Sequence, residues 1–285
     1  MVLDVGANKG YFTEEVLSLL NNQIYGNLQG SIIRNLARRG CRGDARCCGV
    51  CRDCWEKRSS VLSLAPTRYE FILFEALRAN YLHLETVFQE HANVHVNNLA
   101  VSNISGQGHF PRLALGAEKG SLDSTENPNT ELDSVSIVSL DDYFGKDKTL
   151  HIDVVKIDTE GYDFQVLEGS GQLLREKRIS AVTFEYGDRN KGKSLEELIF
   201  WLAKLNYFCF FEGKGLIHPI TTCYHRTMSD LPWGNICCGL GGSLALNSML
   251  NHVVKYPHDG SVSCPVPPLM RTRKGKKGSK TQKQM

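Results

Sequence analysis

The chain has 285 residues, of which 41% are hydrophobic and 22% charged, with 33 Lys and Arg against 31 Asp and Glu. That composition excludes a mostly disordered, collagen-like or coiled-coil chain, and no apolar run reaches the roughly 18 residues of a membrane span. The near-neutral total hides a segregation: residues 271–285 carry seven basic residues and no acid, residues 34–58 carry eight against three acids, and the rest holds 18 basic and 28 acidic residues. An acidic body with two basic pieces is not a general nucleic-acid binder, and no specific nucleic-acid partner is expected.

Met1–Val5 is a short apolar run that stops at a glycine turn, which predicts a strand, and Tyr11–Leu20 places Phe12, Val16, Leu17 and Leu20 on a helical stripe. Residues 21–66 break the pattern with Gly, Arg and Cys. Tyr69–Phe74 is nearly all apolar, as a strand buried on both faces requires. A helix over Leu77–His91 follows, with Tyr81, Leu84 and Phe88 inward, then a strand from Val94 to Ala100. Residues 116–133 read as loop, Ser134–Val138 as a strand and Leu140–Phe144 as a helix started by Ser139. Ile152–Ile157 is another buried strand, leading through Asp158-Thr159-Glu160-Gly161 into a helix from Asp163 that stops at Gly169. Ile179–Glu185 is a strand, and Ser194 with Glu197 forms a capping box opening a helix to Leu205. Tyr207–Phe211 and Leu216–Ile220 flank a glycine turn and read as an antiparallel hairpin near the C-terminal edge. Alternating strands and helices predict an α/β fold with a doubly wound, Rossmann-like, mostly parallel sheet. One domain over residues 1–256, with an insertion at 21–66 and a basic, disordered tail at 257–285, is the expected organisation.

Three pieces carry chemistry. The first is Asp4-Val5-Gly6-Ala7-Asn8-Lys9-Gly10, a strand running through a glycine turn into a helix. Such a turn brings backbone N–H groups close to a ligand. A dinucleotide fingerprint counted from Gly6 needs glycines where Asn8 and Tyr11 stand. The second is Glu75, at the end of a buried strand, where an acid can accept two ribose hydroxyls. It lies 69 residues after Gly6, and without residues 21–66 the gap is 23, close to the ~20 this fold uses. The third is Lys156-Ile157-Asp158-Thr159-Glu160-Gly161. Strand alternation puts Lys156 and Asp158 on one face, where they can pair. Asp158 and Glu160 facing one pocket would push their pKa values apart.

These pieces resemble the FkbM family of S-adenosylmethionine-dependent methyltransferases. The resemblance rests on VLDVGANKGYFT (Val2–Thr13), FE (Phe74-Glu75), NLAVSNISG (Asn98–Gly106), SLDDYF (Ser139–Phe144), DVVKIDTEGYDFQVLEG (Asp153–Gly169) and VTFEYG (Val182–Gly187), in family order. Ala76 departs from the family's usual proline, and Met1 lies almost on the first motif, so the chain reads as one that starts late. The resemblance implies methyl transfer from S-adenosylmethionine to an oxygen, with sugars and other small molecules as acceptors. It assigns donor binding to Asp4, Gly6, Asn8, Gly10, Glu75, Asn98 and Ala100. Asp158 and Glu160 are expected to orient or deprotonate the acceptor, with Glu185 a weaker candidate. A divalent cation on these carboxylates is the alternative use of them. The alternative class is a catalytically inactive chain that keeps the fold and binds partners.

Ten cysteines include Cys41 and the run Cys47, Cys48, Cys51 and Cys54, whose C-x₂-C steps have zinc-ligand spacing. Structural zinc, disulfides and idle thiols all remain open readings, and Cys209 reads as core. No signal peptide or membrane span is legible, so a cytoplasmic location is the default expectation, as far as this chain extends. Oligomeric state has no sequence signal here.

Overall fold

The computed structural model describes residues 1–20, 69–117, 120–122, 131–187, 189–190, 193–213, 216–225, 228 and 232–253. Stretch 21–66 with its cysteine cluster and the tail 257–285 lie outside the described residues, as do the readings made of them.

The elements are, in chain order, β1 (Val2–Val5), α1 (Tyr11–Leu20), β2 (Phe71–Phe74), α2 (Arg78–Phe88), β3 (Val94–Asn97), β4 (Ala100–Val101), β5 (Gly106–Pro111), β6 (Leu132–Val138), α3 (Leu140–Phe144), β7 (Ile152–Ile157), α4 (Asp163–Glu168), α5 (Gly171–Arg175), β8 (Ile179–Gly187), α6 (Leu195–Lys204), β9 (Tyr207–Glu212), β10 (Ile217–Pro219), β11 (Trp233–Leu240) and α7 (Leu244–Leu250). The main sheet runs β10-β9-β11-β8-β7-β1-β2-β3. Strands β3, β2, β1, β7 and β8 are mutually parallel, whereas β11 pairs antiparallel with both β8 and β9, and β10 antiparallel with β9. The chain therefore folds as α/β around a large, mostly parallel sheet.

Period-two alternation divides the strands between two faces. Leu3, Val5, Ile72, Phe74, Val155 and Phe184 pack with Phe164, Leu167, Leu198 and Leu202 of α4 and α6. Val2, Phe71 and Leu73 point the other way, onto Leu17 of α1 and Leu84, Val87 and Phe88 of α2. The central strands are buried on both sides, as their continuous apolar runs demand. Ser139 caps α3, and the Ser194–Glu197 capping box opens α6.

Several local readings need correction. The expected strand from Val94 to Ala100 is two strands in different sheets. Asn98 breaks it: its side chain donates to the carbonyls of Glu75 and Ala76, tying the turn to the end of β2. β4 then joins β6 and β5 in a separate three-stranded sheet. The inward face of α2 is Asn80, His83, Leu84, Val87 and Phe88, so Tyr81 lies off it. Cys209 is more than core, since it stands opposite Cys238 in the β9–β11 register and forms a disulfide with it. Cys223 is disulfide-bonded too. Among the described residues, no helix is long and apolar enough to cross a membrane.

Candidate active site

Strand register builds the site. Val5 pairs with both Phe74 and Ile157, Phe74 with Asn97, and Ile157 with Phe184. The residues one step beyond those pairs are Gly6, Glu75, Asp158, Asn98 and Glu185. They form a row across the carboxyl edge of the sheet. Strand order reverses at β1, between β2 and β7, and open α/β sheets bind ligands at such a switch point.

A cavity of about 640 Å³, counting its open mouth, lies on this edge. Gly6, Asn8, Glu75, Ala100, Asp158 and Glu160 all line it, and Leu77, Leu99, Phe110 and Leu122 supply apolar wall. Gly6 adopts φ +75°, and a Cβ there would lie 1.8 Å from the backbone oxygen of Asp158. Only glycine lets these two loops approach so closely. Asn8 also takes a left-handed φ of 48°, which presents its N–H to Glu75 Oε2 at 2.8 Å. The Leu77 N–H donates to Glu75 Oε1 at 2.9 Å. Burial raises the Glu75 pKa from an ordinary 4.5 to about 7, although both backbone donors and Lys156 oppose the rise.

Asp4, Gly10, Asn98 and Glu185 do not line the cavity. Asp4 is fully buried beneath it. The Thr13 hydroxyl donates to its Oδ2 at 2.8 Å, and Lys156 Nζ stands 3.3 Å from its Oδ1 as an ion pair without aligned hydrogen-bond geometry. Asp4 thus stands outside the cavity lining and braces the first turn through Thr13 and Lys156. Gly10, at φ +85°, lets the turn sit against Leu84 and Phe88 of α2. Asn98 acts on the backbone of β2, as described above.

Lys156 has three partners rather than one. Its ammonium donates to the Gly6 carbonyl at 2.9 Å and lies 3.3 Å from Asp4 and 3.4 Å from Asp158. Burial works against its charge, but the two aspartates outweigh burial and its pKa is raised. It locks the first turn to the Asp158 loop. Glu160, in a left-handed conformation at φ 56°, pairs with Arg189. Glu185 accepts a hydrogen bond from the Trp233 ring N–H. Burial, then repulsion by Asp158, lifts its pKa to about 7.

Asp163 escaped the sequence reading, which saw only a helix start. It is fully buried. Its Oδ2 accepts from the Thr159 N–H at 3.3 Å and hydroxyl at 2.9 Å, and its Oδ1 from the Glu185 N–H at 3.0 Å. It therefore holds the ends of β7 and β8 together. Asn80 was missed too: its Oδ1 accepts from the Gly116 N–H at 2.8 Å and its amide donates to Asn8 Oδ1 at 3.3 Å. An Asn at an inward helical position was its available signal.

The donor set suits an adenosine-bearing ligand better than a metal ion. A buried acid beside an apolar slot matches ribose hydroxyls and a flat base. Asp158 and Glu160, by contrast, already face Lys156 and Arg189. Among the described residues, no group of three His, Cys, Asp or Glu is placed to hold a metal. No curated protein and no solved structure matches the chain. The methyltransferase FkbM domain model matches residues 4–209, more than half the chain, and the protein belongs to that methyltransferase family.

Proposed function

We propose that the chain transfers the methyl group of S-adenosylmethionine to a hydroxyl oxygen of a sugar or another small molecule, on a doubly wound, Rossmann-like sheet. The observation that carries this reading is Glu75, a buried carboxylate at the cavity wall, pinned by two backbone N–H groups on the same edge as the Gly6–Asn8 turn and Asp158. Glu75 accepts the ribose hydroxyls. Leu77, Leu99, Phe110 and Leu122 flank the adenine, and the Gly6–Asn8 turn with Ala100 bounds the rest of the donor.

The donor, when bound, supplies an electrophilic methyl carbon on a cationic sulfur. Asp158 orients the attacking hydroxyl and takes its proton, a contribution of about 10²–10⁴-fold for a positioned base. Lys156 pairs with Asp158 and holds it in place. Glu160, held by Arg189, adds a second carboxylate to the cavity lining. Glu185 stands beside Asp158 and, with a pKa near neutrality, receives the proton onward. No step requires a metal.

Two measurements test the reading. Calorimetry with S-adenosylmethionine should show binding, and a labelled-methyl screen against glycans, lipids and small alcohols should show a labelled ether. A folded sample that binds no donor would refute the proposal and favour the catalytically inactive alternative.

A further inference from the structure

The cavity wall holds a buried amide to which the methyl-transfer scheme gives no task. Asn80 lies in the first turn of α2, on the face that Leu84 and Phe88 turn inward, and is 1% exposed. An amide so placed costs free energy unless its polar atoms find partners. It finds them in the cavity's own walls. Its Oδ1 accepts from the Gly116 N–H at 2.8 Å, and its Nδ2 donates to Asn8 Oδ1 at 3.3 Å and to the Ala117 carbonyl at 3.5 Å. Asn8, Asn80 and Ala117 all line the cavity. Asn8 is the telling partner. Its backbone is left-handed, at φ 48°, a conformation that a residue other than glycine keeps when its surroundings hold it there. In that conformation its N–H reaches Glu75 Oε2 at 2.8 Å, while its side chain ends on Asn80.

We propose that Asn80 is a positioning residue of the donor site: it acts through Asn8, holding that backbone left-handed so that the Asn8 N–H fixes the Glu75 carboxylate for the donor's ribose. This deepens, and rests on, the methyl-transfer reading above. The same side chain fastens Gly116 and Ala117 to this wall, so the pocket is set before the donor enters. Without the tether Asn8 is free to relax, and Glu75 loses one of its two backbone donors. Because that N–H favours the ionised form, the carboxyl then takes up a proton more readily.

The test is calorimetry with S-adenosylmethionine across pH, in a double-mutant cycle of Asn80→Ala and Asn8→Gly with folding checked by urea unfolding. Glycine adopts the left-handed backbone and keeps the N–H with no side chain to tether. Asn80→Ala alone should weaken donor binding about tenfold, but by less than about threefold when Asn8→Gly is already present. The single variant should also move the pH midpoint of binding upward, and adding it to Asn8→Gly should not. Lys156 and Asp4, the other charged groups acting on Glu75, are the same in all four proteins. A merely structural Asn80 would lower the urea midpoint in both backgrounds and leave the pH midpoint of binding where it was. Asn80→Leu, close to asparagine in shape but without its polar atoms, takes the place of Asn80→Ala if that variant does not fold. Unchanged donor affinity on loss of Asn80, or an equal loss in both backgrounds, overturns this inference alone. A folded wild type that binds no donor overturns it together with the methyl-transfer reading.

Discussion

Glu75 should cost the folded protein stability at neutral pH. Its pKa rises from 4.5 to about 7 on folding because it is buried. The folded state thus holds this proton more tightly than the unfolded chain does. Stability from this group is greatest below pH 4.5 and declines as pH climbs to about 7, above which the whole loss is in place. The difference between the two values corresponds to about 3 kcal/mol. Glu75→Gln removes the titration. Its amide also turns an N–H toward the Asn8 or Leu77 donor, a pH-independent cost of about 1–3 kcal/mol. Urea unfolding of both proteins at about pH 5 and about pH 8 checks this. The variant should gain about 2.5 kcal/mol on the wild type between those two conditions. Glu185 and Asp163, whose pKa values are also raised, contribute equally to both proteins and cancel. Parallel pH profiles would refute the reasoning.

Three other perturbations follow from the same geometry. Asp158→Asn should lower turnover by about 10²–10⁴-fold with donor affinity retained, as single-turnover kinetics and calorimetry can show; full activity would reject its role. Gly6→Ala forces a Cβ onto the Asp158 carbonyl at a left-handed φ, and should destabilise the fold by about 3 kcal/mol or more and abolish donor binding. Breaking Cys209–Cys238, which spans 29 residues, by replacing both with Ser should cost about 3.6 kcal/mol by chain entropy, read as a lower urea midpoint under non-reducing conditions.

Much of this architecture was legible because its signals are local. Buried strands announce themselves as continuous apolar runs, so β1, β2 and β7 and the residues at their ends could be placed before any coordinates. Register then does the rest: Val5 opposite Phe74 and Ile157 brings Gly6, Glu75 and Asp158 together. Three-dimensional partnership was less accessible. Asp4 carries the same chemistry as Asp158 in sequence, but it sits one step inside the strand and faces Thr13 and Lys156 below the cavity. β11 was overlooked because Gly234 and Gly239 dilute its apolar signal, and with it went Trp233 and the partner of Cys209. Asp163 looked like an ordinary first-turn acid, and only the distant Glu185 N–H reveals what it ties.

The most direct measurement is the dissociation constant of S-adenosylmethionine for the wild type and for Glu75→Gln, by calorimetry above pH 7, where the Glu75 carboxylate is ionised. The account predicts one donor per chain and about ten- to a hundredfold weaker binding in the variant, as loss of a charge-assisted acceptor to ribose hydroxyls requires. No binding by the folded wild type, or equal affinity in both proteins, would contradict it.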